Sequence, residues 1–327
     1  MATITYREAL NQGLKEEMRR DSRIFIMGEE VGRYHGAYKV SNGLLEEFGE
    51  QRVVDAPISE LGFAGIGAGA AMMGLRPIIE MMTWNFAILA LDQIINNAAK
   101  LRNMSGGALT CPVLFRGPQG AAFQLSSQHS QVVEAFCAHV PGLIVIAPAT
   151  PKDAKGMLKQ ALRTIEDPIC MFEGELLYNV KGEVPEGDFV VPLGKAEVKR
   201  EGKDVTFCTW SRMLYPTLDA ATKLAEKGIE AEVVDMRTLR PLDMETLLTS
   251  VRKTNRLVVV FEGWPIASVG SSIVELVQRD AFDDLDAPVA MVHSADVPMP
   301  YAKGLEKAAL PSVDKVVGAA RKVLYLA

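Results

Sequence analysis

Short apolar segments alternate with amphipathic ones along almost the whole chain, and this alternation constrains the fold more than any other feature. Thr5 and Glu8 stand at capping-box spacing, and Tyr6, Leu10, Leu14 and Met18 follow at i, i+4 intervals, which predicts a helix over about 5–20. Strands are expected at 23–27, 52–55, 76–80, 112–116, 143–147 and 168–172, with helices near 59–74, 86–102, 130–138 and 151–165. Apolar strands separated by helices read as parallel sheet covered on both faces. The pattern breaks where Gly182, Pro185, Gly187 and Pro192 stand among charges, which predicts a linker. Alternation then resumes with a strand at 205–209, a helix at 213–227 and a strand at 231–235, one complete βαβ unit. A helix at 243–254, a strand at 257–261, a helix at 268–279 and a strand at 288–292 continue it. Ser312 is placed to cap a last helix whose Val313, Val316, Val317, Ala320 and Leu324 share one face. The fold class is therefore α/β with two parallel-sheet domains, 1–180 and 195–327, joined by a linker at 181–194. A length of 327 residues suits two domains.

Composition narrows the function classes. With 48% hydrophobic and 23% charged residues and a formal net charge of −6, the chain is neither disordered nor a basic nucleic-acid binder. No run reaches the roughly 18 uncharged apolar residues of a membrane span, and residues 1–15 lack the apolar core of a signal peptide. Cys111, Cys137, Cys170 and Cys208 have neither C-x-x-C nor zinc-ligand spacing, so reduced cytoplasmic thiols are expected and no metal cluster. A high apolar share without a membrane span points to a chain that buries much of itself against something.

Three local signals bear on chemistry. Gly65-Ile-Gly67-Ala-Gly69-Ala70 fits the relaxed G-x-G-x-x-A dinucleotide pattern, but the first glycine lies about nine residues past the preceding strand, where a direct turn is wanted. The alternative is a helix whose small residues let another helix approach closely. Carboxylates cluster at strand ends: Glu29 and Glu30 follow the strand 23–27, and Glu60 opens the glycine-rich helix among the apolar Ile58, Leu61 and Phe63. Burial would raise the pKa of Glu60 and a helix N-terminus would lower it, so its sign is open. His129 lies in the polar run Ser126-Ser127-Gln128-His129-Ser130-Gln131. No G-x-S-x-G elbow supports serine hydrolysis, and no Gly-Asp-Gly is present to hold a metal-bound diphosphate.

Longer words carry a family resemblance. Gly28-Glu29-Glu30-Val31, Pro57-Ile58-Ser59-Glu60, Met104-Ser105-Gly106-Gly107, Phe115-Arg116-Gly117-Pro118 and Gln128-His129-Ser130-Gln131 stand in the first half, and Met236-Arg237-Thr238-Leu239-Arg240-Pro241 and Ala295-Asp296-Val297-Pro298-Met299-Pro300-Tyr301 in the second. Over nearly its whole length the chain resembles the beta subunits of the pyruvate dehydrogenase first component, within the two-subunit, thiamine-diphosphate-dependent 2-oxo acid dehydrogenases.

The resemblance implies a thiamine-diphosphate pyrimidine-binding domain followed by a transketolase C-terminal-like domain. It implies an alpha-subunit partner in an α2β2 heterotetramer, with the alpha chain holding Mg²⁺ and the diphosphate, and a dihydrolipoyl acetyltransferase core with its lipoyl domain as a further partner. Carried onto this sequence, Glu60 matches the glutamate that bonds the aminopyrimidine N1′, Glu29 a second carboxylate near that ring, and Phe86 with Met82 its apolar contacts. His129 matches a histidine at the mouth of the site, a proton donor in acetyl transfer. Some members bind a structural K⁺ through backbone carbonyls; the matching positions are Val113, Ala161, Leu162 and Thr164, in a loop one residue longer here. Asp296 and Ala327 fall where the family docks its acetyltransferase core. The activity implied is oxidative decarboxylation of pyruvate in the cytoplasm, with no nucleic-acid or membrane partner. The alternatives are a branched-chain 2-oxo acid or acetoin dehydrogenase subunit, a nicotinamide-dependent oxidoreductase built on Gly65–Ala70, and a non-catalytic scaffold.

Overall fold

The computed structural model describes Met1 to Leu326, so Ala327 lies outside the described residues. The chain divides into two compact units. The first joins Met1–Gln119 with Phe136–Leu193; the second joins Gly120–Ala135 with the chain from Gly194 onward.

In the first unit, β1 (Ala2–Thr5) is followed by β2 (Ile24–Gly28), β3 (Val53–Asp55), β4 (Arg76–Glu80), β5 (Leu114–Gln119), β6 (Ile144–Ile146), β7 (Ile169–Gly174) and β8 (Lys181–Val184). Parallel strands run in the order β6-β7-β5-β4-β2-β3. β1 and β8 pair antiparallel as a separate ribbon, so the stretch expected to open the linker is ordered strand. Two four-residue strands far apart in sequence leave no periodicity to detect.

The first helix runs Tyr6–Arg20 and its capping box forms. Thr5 Oγ1 accepts the Glu8 N–H at 3.2 Å and the Glu8 carboxylate accepts the Thr5 N–H at 2.7 Å. Helix Pro151–Thr164 packs on it, tied by Lys155 to Glu16 at 2.7 Å and by Arg163 to Glu17 at 2.6 Å. The helix expected over 86–102 is instead broken into Trp84–Ala87, a tight turn Ile88–Ala90, a π-helical segment Gln93–Ala98 and Leu101–Met104. Side-chain bonds from Asn96 to Asp92 and from Asn97 to Gln93 line the widened segment.

The glycine-rich helix runs Glu60–Met72, which settles the dinucleotide reading. Gly65, Gly67 and Gly69 lie inside the helix, where backbone N–H groups are committed to i−4 carbonyls, so no glycine turn presents donors to a phosphate. Their smallness serves packing. A Cβ at Gly67 would stand 2.4 Å from Ile79 Cδ1 of β4, so the close neighbour is a strand of the unit's own sheet.

In the second unit, β9 (Glu197–Arg200), β10 (Val205–Thr209), β11 (Ala231–Asp235), β12 (Thr238–Arg240), β13 (Leu257–Val260) and β14 (Ala290–Val292) alternate with helices Leu214–Ala225, Met244–Thr254 and Val269–Ala281. The sheet order is β14-β13-β10-β11-β9, parallel except for the antiparallel edge strand β9. Ser312 caps the helix Val313–Val323 through the Lys315 N–H. Both units are thus α/β with helix-covered sheets. All four cysteines are buried free thiols. Among the described residues no helix is long and apolar enough to cross a membrane.

Candidate active site

The C-terminal ends of neighbouring parallel strands are where open α/β sheets place their ligands. In the first unit, β3, β2 and β4 are adjacent, with Asp55, Gly28 and Glu80 in register at their ends. Glu29 follows Gly28 directly. The turn beyond it is pinned by Asp55, whose carboxylate accepts the Gly32 N–H at 2.6 Å and the Arg33 N–H at 3.0 Å. Glu60 is the first residue of the helix that follows β3. These two carboxyls, from different strand ends, are both buried.

Their electrostatics are coupled. Burial, then the negative charge of Glu60, then a hydrogen bond that protonated Glu29 donates to the Glu60 carboxylate push Glu29 up to about 7. Glu29 therefore retains a proton close to neutral pH. Glu29 Oε1 is buried and has no hydrogen-bond partner in the chain. An orphaned oxygen of this kind is costly unless a ligand completes it. The pair thus leaves room for a ligand group that hydrogen-bonds the free Glu29 oxygen.

The apolar side of the site comes from the end of β4. Met82 and Phe86 are half-buried on the segment that follows it, whose helix Trp84–Ala87 packs on the Glu60 helix. The segment is fixed by Trp84, which stacks on Phe172 at 4.0 Å and donates to the Met171 carbonyl at 3.0 Å. Thr83 caps the turn and bonds the Pro118 carbonyl.

Beneath these residues lies an ionic cluster that the sequence reading did not single out. Arg116 of β5 donates to Glu173 of β7 (Nε–Oε1 2.6 Å, with a second, shorter bond from Nη2) and to Glu80 of β4. Tyr178 donates to Glu173 at 2.7 Å. Burial raises the Glu80 pKa against the pull of Arg116. Burial also works against the arginine's charge, but Glu173 and Glu80 outweigh it and hold Arg116 charged. The available signal was charge at the ends of otherwise apolar strands, since Glu80, Arg116 and Glu173 each interrupt such a run.

His129 sits half-buried in a tight turn, Ser127–His129, within the segment that belongs to the second unit. The structure brings Glu29 and Glu60 together, carries Met82 and Phe86 in the same unit, and sets His129 on the other. Asp296 is exposed.

Two of the four carbonyls matched to a K⁺ site, those of Val113 and Leu162, accept hydrogen bonds within the chain. Val113 O accepts the Ile169 N–H at 2.9 Å. Arg76 donates to Leu162 O at 3.2 Å, to Ile165 O at 3.0 Å and to the Glu166 carboxylate. A guanidinium thus meets the end of helix Pro151–Thr164, where a cation is favoured. Among the described residues no group of three or more His, Cys, Asp or Glu side chains could hold a metal ion.

Residues 2–181 match the transketolase pyrimidine-binding domain and residues 194–316 the transketolase C-terminal domain. The chain is 53% identical to the pyruvate dehydrogenase E1 component subunit beta of Rhizobium meliloti, over 99% of this chain and 71% of that protein. It is 52% identical to the Rickettsia felis protein of the same name, over 98% of both. Its identity to the mitochondrial beta-1 subunit of Oryza sativa is also 52%, over 99% of this chain and 87% of that one. Among solved structures, a split-gene transketolase described as an inactive beta4 tetramer superposes with a TM-score of 0.82 at 26% identity, over 99% of both chains. Transketolase from Leishmania mexicana shares the fold, with a TM-score of 0.73 at 17% identity, over 99% of this chain and 46% of that one.

Proposed function

Since the chain belongs to the family of pyruvate dehydrogenase E1 component beta subunits, we propose that it supplies the aminopyrimidine half of a thiamine-diphosphate site. The alpha subunit holds the diphosphate and Mg²⁺, in an α2β2 heterotetramer that works in the cytoplasm. The reaction is oxidative decarboxylation of pyruvate coupled to reductive acetylation of the lipoyl group of a dihydrolipoyl acetyltransferase. The buried Glu29–Glu60 pair with its orphaned oxygen is the observation that carries this reading.

Thiamine diphosphate, when bound, supplies a nucleophilic carbon and an electron sink for decarboxylating a 2-oxo acid. This chain's residues bind and tune it. The Glu60 carboxyl hydrogen-bonds ring nitrogen N1′ and exchanges a proton at that atom. Glu29, titrating at about 7, holds a proton beside Glu60 near the working pH, where general acid–base catalysis is most efficient. Phe86 and Met82 offer apolar contact to the ring and keep water from it. In the second half-reaction the two-carbon fragment is oxidised to a thioester, and the lipoyl disulfide takes the electron pair. One sulfur bonds the acetyl carbon and the other becomes a thiol, whose proton His129 delivers.

Reconstitution with the alpha subunit tests this. Glu60→Gln is expected to lower pyruvate decarboxylation by about 10²–10⁴, the typical worth of a positioned acid–base group, while the heterotetramer still elutes at its normal size. Unchanged turnover would refute the assignment. Running 3-methyl-2-oxobutanoate and acetoin beside pyruvate decides the substrate, and a preference for either would replace pyruvate in this reading.

A further inference from the structure

The segment Gly120–Ala135 follows β5 in sequence, yet it folds on the second unit. Its backbone is strained. Phe123, Gln124 and Ser126 adopt φ of 51°, 60° and 65°, a region that non-glycine residues occupy only when their surroundings hold them there. The holding contacts are specific. At the near end, Ala121 donates its N–H to Glu262 Oε1 at 2.7 Å and accepts at its carbonyl from Arg212 Nη1 at 2.8 Å. Arg212 and Glu262 are themselves joined through both guanidinium edge nitrogens, one bond being Nη2 to Oε1 at 2.7 Å. Both side chains are only 9% exposed. At the far end, Trp210 Nε1 donates to Glu134 Oε1 at 2.6 Å. Between them, Ser127 Oγ donates to the Met299 carbonyl at 3.1 Å, and Ala121 packs in an apolar cluster with Met299 and Ala309.

Gly120 is shaped to this clamp. It adopts φ +92°, and a Cβ there would lie 2.7 Å from Glu262 Oε1. Arg212 follows β10 and Glu262 follows β13, two paired strands, so the clamp sits at the C-terminal edge of the second sheet. A buried ion pair gives little net stability over an apolar replacement, because desolvation offsets attraction. What Arg212 and Glu262 do provide is a fixed position for both polar groups of one peptide, Ala121, eight residues before His129.

We infer that Arg212 and Glu262 are positioning residues which hold the His129 segment in place for acyl transfer to the lipoyl disulfide and leave decarboxylation untouched. This rests on the role given to His129 above. The pair itself meets the backbone of the segment, and its effect passes through the conformation of residues 121–129.

The test uses the reconstituted heterotetramer carrying Glu262→Gln, Arg212→Lys, Gly120→Ala or His129→Ala. Decarboxylation is followed with pyruvate and an artificial electron acceptor, and reductive acetylation with a purified lipoyl domain. Glu262→Gln and Arg212→Lys are expected to lower the kcat of lipoyl acetylation by at least about tenfold, with KM for the lipoyl domain and the artificial-acceptor rate within about twofold of wild type. Gly120→Ala should give the same split by displacing the Glu262 carboxylate. Chymotryptic cleavage at the exposed Phe123 should quicken in all three. If His129→Ala depresses acetylation and the clamp variants do not, the inference fails while the role of His129 stands. If His129→Ala leaves acetylation intact, that role fails and the inference with it. Equal loss of both half-reactions in the clamp variants also overturns the inference, because it marks general damage.

Discussion

Replacing Glu29 by glutamine removes a buried acid whose ionisation opposes folding. Glu29 titrates near 4.5 when solvated and at about 7 in the folded chain. Because the folded value is raised, its contribution to stability is fully present below about pH 4.5 and is lost as pH rises through about 7. A difference of roughly 2.5 units corresponds to about 3 kcal/mol, at 1.36 kcal/mol per unit. Relative to wild type, Glu29→Gln should therefore gain nothing near pH 4.5 and become more stable by up to about 3 kcal/mol by pH 8. For a folding unit of this size that is roughly 5–10 °C in melting temperature. The assay is thermal or urea unfolding of both proteins at intervals from about pH 5 to 8, reading the difference between the two curves so that all other titrating groups cancel. Glu60→Gln provides an internal comparison. It removes the second cause of the shift, the Glu60 charge, but leaves burial, the largest, and an amide oxygen that still accepts from Glu29, so the pH-dependent term should shrink without vanishing. Parallel curves for wild type and Glu29→Gln across this range would refute the coupled-pair description and, with it, the electrostatic basis of the proposed site.

Two further outcomes follow from the buried charges. Arg116→Met strands Glu80 and Glu173 without their counter-charge and should cost roughly 3–5 kcal/mol in urea unfolding at neutral pH. The loss should shrink in acid, where the carboxyls take up protons; a loss below about 1 kcal/mol would contradict the described cluster. Because the Arg76 guanidinium already places a positive charge on the Leu162 carbonyl, exchanging KCl for NaCl or choline chloride should leave the melting temperature unchanged. A K⁺-specific stabilisation of the wild-type chain would overturn that reading.

Local pattern carried much of the fold. The Thr5–Glu8 box, the apolar strands and the Ser312 cap are written in residues a few positions apart, and each appears in the structure. The β1–β8 ribbon did not announce itself, because its pairing joins opposite ends of the first unit. The break in the expected 86–102 helix was hidden for a related reason, since a π-helical segment keeps the same apolar content as a continuous helix. The glycine run was ambiguous until Gly67 met Ile79, which is a fact about a neighbouring strand and not about the run itself.

For the site, the sequence by itself determined which groups are present: two carboxyls at strand ends, an aromatic on the following turn, a histidine in a polar loop, and no motif for a diphosphate. Only the tertiary structure decided their states. It buried Glu29 against Glu60 and so raised its pKa, it placed Arg116 between Glu80 and Glu173, and it folded the His129 segment onto the second unit under the Arg212–Glu262 pair. The reason is physical. Helix and strand signals repeat every few residues and can be read along the chain, whereas desolvation and Coulomb interaction depend on whatever lies within a few ångströms in space, which is fixed only once the chain has packed.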